Sequence, residues 1–132
     1  MEILAEPIRR EYERWGRMVG LEDPYASPST LGILDVLRAH FLIADFFYEI
    51  GVGLGGVGPR DLNLLHSAVS RQFTEFGSAK KWTNGFETCA TLFYGLIKDH
   101  PFHDANKRTA FLSALYHLHK MGRCPTVSQD EF

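Results

Sequence analysis

Cysteine is scarce in this chain. Only Cys89 and Cys124 are present, too few and too irregularly spaced for a disulfide framework or a zinc site. Two reduced thiols are the expectation. Long apolar runs are also missing, so no segment reads as a membrane span. Met1 leads into Glu2 and a mixed-charge stretch, with no secretory pattern. A cytoplasmic protein that engages no membrane is expected. No sign of charge dominates either. The net charge of −2 argues against a broad nucleic-acid footprint, though a local anion pocket needs only a few cations. Repeats and low-complexity tracts are absent.

What remains describes an ordinary globular chain. Its 132 residues are 45% hydrophobic and 23% charged, enough for one core and too short for two. Ile8, Tyr12, Trp15 and Val19 fall at helical spacing within 2–19. A turn-rich connector follows from Gly20 to Ser29. Thr30 is placed to cap a helix over 31–50, with Leu34, Leu37, Phe41, Ala44, Phe47 and Tyr48 as its apolar stripe. Gly51 ends it. The Gly-rich run 51–59 follows a helical pattern and lacks G-K-[S/T], so it reads as a turn and not a nucleotide loop. Asp61 caps a helix over 62–73, with Leu62, Leu65, Val69 and Phe73 inward. Residues 74–85 carry hairpin-like turn signals. A fourth helix, 86–98, presents Ala90, Phe93, Tyr94 and Ile97. A fifth, 105–121, is capped by Asp104 and lined by Ala110, Phe111, Ala114, Leu115, Leu118 and Met121. Ser128-Gln129-Asp130-Glu131 matches a capping box. It suggests a further helix in the parent protein, beyond Phe132.

Chemistry concentrates in the run His100-Pro101-Phe102-His103-Asp104-Ala105-Asn106-Lys107-Arg108-Thr109. A helix start carries unsatisfied N–H groups and partial positive charge, which suits phosphate. Lys107 and Arg108 in the first turn oppose the dipole, and an incoming anion would reconcile them. Arg108 can grip phosphate oxygens bidentately and Lys107 can act as a point charge. Asp104 is a hard oxygen donor of the kind that holds Mg²⁺ beside substrate phosphates. His100 is a candidate base near neutral pH. Pro101 turns the chain and Phe102 plugs the core. Base, metal ligand and phosphate cradle are the parts of nucleoside triphosphate transfer to a hydroxyl. A metal site built from His100, His103 and Asp104 is disfavoured, because Pro101 interrupts the helix. His117 and His119 point to different helix faces and form no ligand pair.

The run HPFHDANKRTA resembles the signature of the Fic/Doc (Fido) family, H-P-F-x-[D/E]-[G/A]-N-[G/K]-R. D-A-N-K-R-T-A is closer to the Doc branch of toxin–antitoxin toxins. Gly55-Gly56-Val57-Gly58, Arg60-Asp61, Leu64-Leu65-His66-Ser67-Ala68 and Thr91–Ile97 extend the likeness over about residues 35–127. The resemblance implies an all-α, Fido-type helical bundle with a small β-hairpin flap. It divides the chain into an N-terminal amphipathic helix and linker, 1–29, and a Fido domain, 30–132.

The resemblance implies His100 as base, Asp104 as Mg²⁺ ligand, and Ala105, Asn106, Lys107 and Arg108 around the phosphates of ATP. The flap would span Thr74, Glu75, Phe76, Gly77, Ser78, Ala79, Lys80, Lys81, Trp82 and Thr83, and bind a target segment by strand addition. Phe111 stands where adenylylating Fic enzymes carry a second arginine, and Lys107 where they carry glycine. The Doc branch shows this pattern and phosphorylates elongation factor Tu, so transfer of the γ-phosphate to a protein substrate is expected. AMP transfer is the alternative, and a catalytically silent binding module is the second. No [S/T]-x-x-x-E-[G/N] inhibitory run is present, which implies restraint in trans by a small Phd-type antitoxin.

Overall fold

The computed structural model describes residues 2–20, 23–73, 75–76, 79–80 and 85–122. Pro7 sits in the first turn of α1, Glu6–Val19, where its missing N–H removes no helical bond. The helix starts later than its periodicity suggested. Ala5 is extended, and the Leu4 and Ala5 N–H groups donate to the buried Asp45 carboxylate at 3.0 and 2.7 Å. Ile8 and Val19 are buried, and Tyr12 and Trp15 pack against the same core as the later helices.

Thr30 does not cap the second helix. Its hydroxyl bonds the Tyr25 carbonyl and the Ser27 hydroxyl, closing the connector upon itself. The helix α2 runs Ile33–Glu49 from an N-cap at Gly32. Asp23 reaches across from the connector, and its two oxygens accept the Ile33 and Leu34 N–H groups at 2.9 and 3.1 Å. A cap ten residues away in sequence satisfies the orphan donors that Thr30 leaves. The buried face of α2 is Ile33, Val36, Leu37, His40, Phe41 and Ala44. Tyr48, assigned to the stripe from periodicity, is exposed.

Asp61 does cap α3, Leu62–Ser70, accepting the Asn63 N–H at 2.9 Å. The chain tightens into a 3₁₀ turn at Arg71–Phe73, which leaves Phe73 49% exposed and not inward. Gln72 is buried there. It exchanges two hydrogen bonds with the Leu31 backbone at 2.9 Å and ties the entry of α2 to the end of α3. Strand β1, Glu75–Phe76, pairs antiparallel with β2, Ala79–Lys80, with Glu75 opposite Lys80. Thr74, Gly77, Ser78, Lys81, Trp82 and Thr83 lie outside the described residues, as does the capping box at 128–131.

Helix α4, Gly85–Asp99, buries Cys89, Leu92 and Leu96. Phe93 and Ile97 pack against the core as expected, whereas Ala90 and Tyr94 face solvent. Helix α5, Asn106–Lys120, packs on α4 and α2. Its buried residues are Thr109, Ala110, Ser113 and His117, a smaller and more polar set than the expected stripe. Phe111 is 60% exposed. His117 is buried with a ring nitrogen 2.8 Å from the Ser29 carbonyl, whereas His119 is exposed. The result is an all-α bundle. Among the described residues no helix is long and apolar enough to cross a membrane.

Removal of the Asp23 cap by Asp23→Ala is expected to lower stability by about 1 kcal/mol. Urea unfolding monitored by circular dichroism checks this, with a lower midpoint and an unchanged slope.

Candidate active site

Between α4 and α5 the chain must turn in six residues, and it does so with two strained backbones. His100 has φ of 47° and Ala105 has φ of 61°. A non-glycine residue there is disfavoured by on the order of 1 kcal/mol, so the surroundings must hold the loop. Asn106 does part of this. Its amide donates to the Phe102 carbonyl, and its side-chain oxygen accepts the Phe102 N–H, both at 3.0 Å. Phe102 is 2% exposed and anchors the loop in the core, as its sequence position implied.

The Gly-rich segment does the rest, and its role was not visible in the sequence. Pro59 bridges antiparallel to Phe102. The Arg60 N–H donates to the Pro101 carbonyl at 2.7 Å, and the His103 N–H to the Gly58 carbonyl at 3.2 Å. The Arg60 guanidinium donates to the His100 and Asp99 carbonyls at 3.1 and 3.2 Å. The Gly55 N–H donates to Asp104 Oδ2 at 2.7 Å. Small residues are needed for this approach. A Cβ on Gly56 would lie 2.7 Å from His103 Cβ. Gly58 has φ of 96°, and a Cβ there would meet the Trp15 indole nitrogen at 2.8 Å.

His40 locks the two segments together. The Gly58 N–H donates to its Nε2 at 2.8 Å, so that nitrogen carries a lone pair. The proton is then on Nδ1, which faces Thr109 Oγ1 at 3.2 Å. The imidazole stacks on Phe102 with centroids 4.0 Å apart. Burial pushes its pKa down from 6.5 to about 3, against the attraction of Asp104.

Asp104 does not cap α5. The N-cap is Ala105, which offers no side-chain acceptor to the helix. Asp104 instead accepts the Ala105 N–H on Oδ1 and the Gly55 N–H on Oδ2, both at 2.7 Å. Those two backbone donors, helped by Arg108 and His40, hold its carboxyl below the usual carboxylate range. It is an anion with free lone pairs beside an uncapped helix start.

His100, His103, Asp104, Ala105, Asn106, Lys107 and Arg108 line one open cavity of about 600 Å³. Every motif residue expected to contact ligand is therefore at one place. His103 joins them although the sequence reading gave it no role. Arg108 lies over the Phe47 ring at 4.7 Å, an α2 contact that the sequence spacing did not reveal. Among the described residues no group of three or more His, Cys, Asp or Glu could hold a metal ion. Asp104, with lone pairs left over from its two backbone bonds, is the single-carboxylate donor that a hard cation takes when phosphate and water supply its other ligands.

The Fic/DOC family model matches residues 31–118, which include α2, the Gly-rich segment and the whole motif. The chain belongs to the Fic/DOC family. Comparison with curated proteins and with solved structures gives no match. Fic/DOC domains commonly transfer nucleotide-derived groups to proteins, and this chain is a transferase of that general kind. Helix α1 precedes the matched region, yet its Ile8 and Val19 share the core of the Fic/DOC helices.

Acid should destabilise the fold through its buried imidazoles. The unfolded chain protonates His40 near pH 6.5, while the folded chain resists until about pH 3. The unfolded state binds more protons in that window, so stability falls as pH drops through it. His117, also lowered by burial, acts in the same direction. Urea unfolding between pH 7 and pH 4 should show this decline, and His40→Gln should flatten part of it.

Proposed function

We propose that this Fic/DOC protein is a Doc-like toxin that transfers the γ-phosphate of ATP to a hydroxyl of a protein such as elongation factor Tu. One observation carries the choice of chemistry. Among the described residues the cations on the cavity are Lys107 and Arg108, and Phe111, one turn further on α5, supplies an exposed ring where adenylylating relatives would place a second arginine. A triphosphate there has its charge matched near the helix start, and α5 offers Phe111 in place of a second arginine beyond it. That favours an orientation with the γ-phosphate toward His100.

In this reading His100 takes the proton of the target hydroxyl, and the oxygen forms a bond to the γ-phosphorus. The bond from that phosphorus to the β–γ bridging oxygen breaks, and ADP leaves. Lys107, Arg108 and the first N–H groups of α5 stabilise charge on the transferring group. Asn106 holds the loop so that these groups converge. Asp104 would hold Mg²⁺, which when bound neutralises phosphate charge. The strand pair at Glu75–Phe76 and Ala79–Lys80 would present a backbone edge to the target segment. A cytoplasmic setting and a small Phd-type antitoxin complete the reading. The antitoxin is inferred from the lack of a built-in inhibitory run in these residues.

The test uses two labels. With Mg²⁺, γ-labelled ATP should label elongation factor Tu and α-labelled ATP should not, and His100→Ala should reduce transfer at least about 100-fold. Label arriving from the α-position would replace phosphorylation with AMP transfer. Label from neither would leave a domain that only binds.

A further inference from the structure

We propose that Arg60 is the positioning residue of the base: its guanidinium holds the Asp99 and His100 carbonyls and thereby sets the His100 ring at the cavity. The inference rests on the reading of His100 as the base, and deepens it. His100 occupies a left-handed backbone conformation between the last residue of α4 and a proline. Pro101 has no N–H to donate back into α4, and it restricts the backbone of the residue before it. The last carbonyls of α4 therefore need donors from elsewhere. Arg60 supplies two. Its Nε reaches the His100 carbonyl at 3.1 Å and its Nη2 the Asp99 carbonyl at 3.2 Å.

The charge suits the place, because a helix C-terminus favours a cation. The backbone of Arg60 is itself immobilised. Its N–H holds the Pro101 carbonyl, its preceding residue bridges to Phe102, and its following residue, Asp61, caps α3. A rigid stem and a two-pronged head thus fix three consecutive carbonyls, 99 to 101, around the base. Arg60 is absent from the cavity lining, so it acts through His100 and not on the ligand. Lysine cannot replace it. An ammonium places one point charge where the guanidinium spans two acceptors.

Arg60→Lys keeps the charge and removes the fork. Two measurements on the whole chain test it, with Arg10→Lys on the exposed face of α1 as the control. In NMR spectra without nucleotide, Arg60→Lys should move or broaden the His100 ring signals and the Phe102 and His103 amides, while α1 amides stay in place. Unchanged His100 signals would overturn the proposal. In the γ-label assay, kcat should fall about 10- to 100-fold, with KM for ATP altered less than about threefold. A rise in KM with kcat intact would also overturn it, since that is a binding role. If Arg60→Ala folds, added methylguanidinium should restore part of its kcat. Should the wild-type chain transfer no label, the transferase reading falls, and the NMR comparison still decides the role of Arg60.

Discussion

One neutral imidazole holds the site together. His40 accepts from Gly58, faces Thr109 and stacks on Phe102, so a single buried ring touches the Gly-rich segment, α5 and the motif loop. The Gly58 contact requires the uncharged form, with its proton on Nδ1. A charged ring could not accept the Gly58 N–H, and its burial would be costly. Burial keeps it neutral, and neutrality keeps the Gly-rich segment in place. That segment then supplies the donors to Asp104 and the carbonyls beside His100.

The motif loop needs this support because it is strained at both ends. His100 and Ala105 adopt backbone conformations that non-glycine residues avoid. The strain has a structural return. It lets α4 stop and α5 start within six residues, with the His100 ring and the uncapped α5 terminus on the same cavity. A conventional Asp cap at position 104 would have satisfied the first helical N–H groups internally. Instead Asp104 turns back to Gly55, and the helix start stays open to an anion.

Much of this was legible from spacing. The helix order, the Asp61 cap, the Phe102 plug and the clustering of His100, Asp104 and Arg108 follow from residue types at short range. The failures are equally specific. Thr30 and Asp104 looked like caps because each precedes an apolar pattern, but Asp23 and the Ala105 backbone took those places. Ala90 and Tyr94 in α4 and Phe111 in α5 were assigned inward but face solvent. Periodicity alone fixes a helix's spacing but not which side meets its neighbours. His40 gave a faint signal, a polar residue on the buried side of a wide apolar stripe. Nothing nearby named its partners, which lie 18 and 69 residues away.

By itself the sequence determined the chemistry available: a base, a carboxylate, an amide and two cations around one helix start, and the family those residues mark. Only the tertiary structure decided how they are held. The Gly-rich turn became the clamp on the motif, Arg60 became the cap of α4, and α1 joined the core through Ile8 and Val19. The reason is range. Capping and periodicity act over a few residues, whereas desolvation of His40 and the strain at His100 are balanced by groups that meet only once the helices have packed.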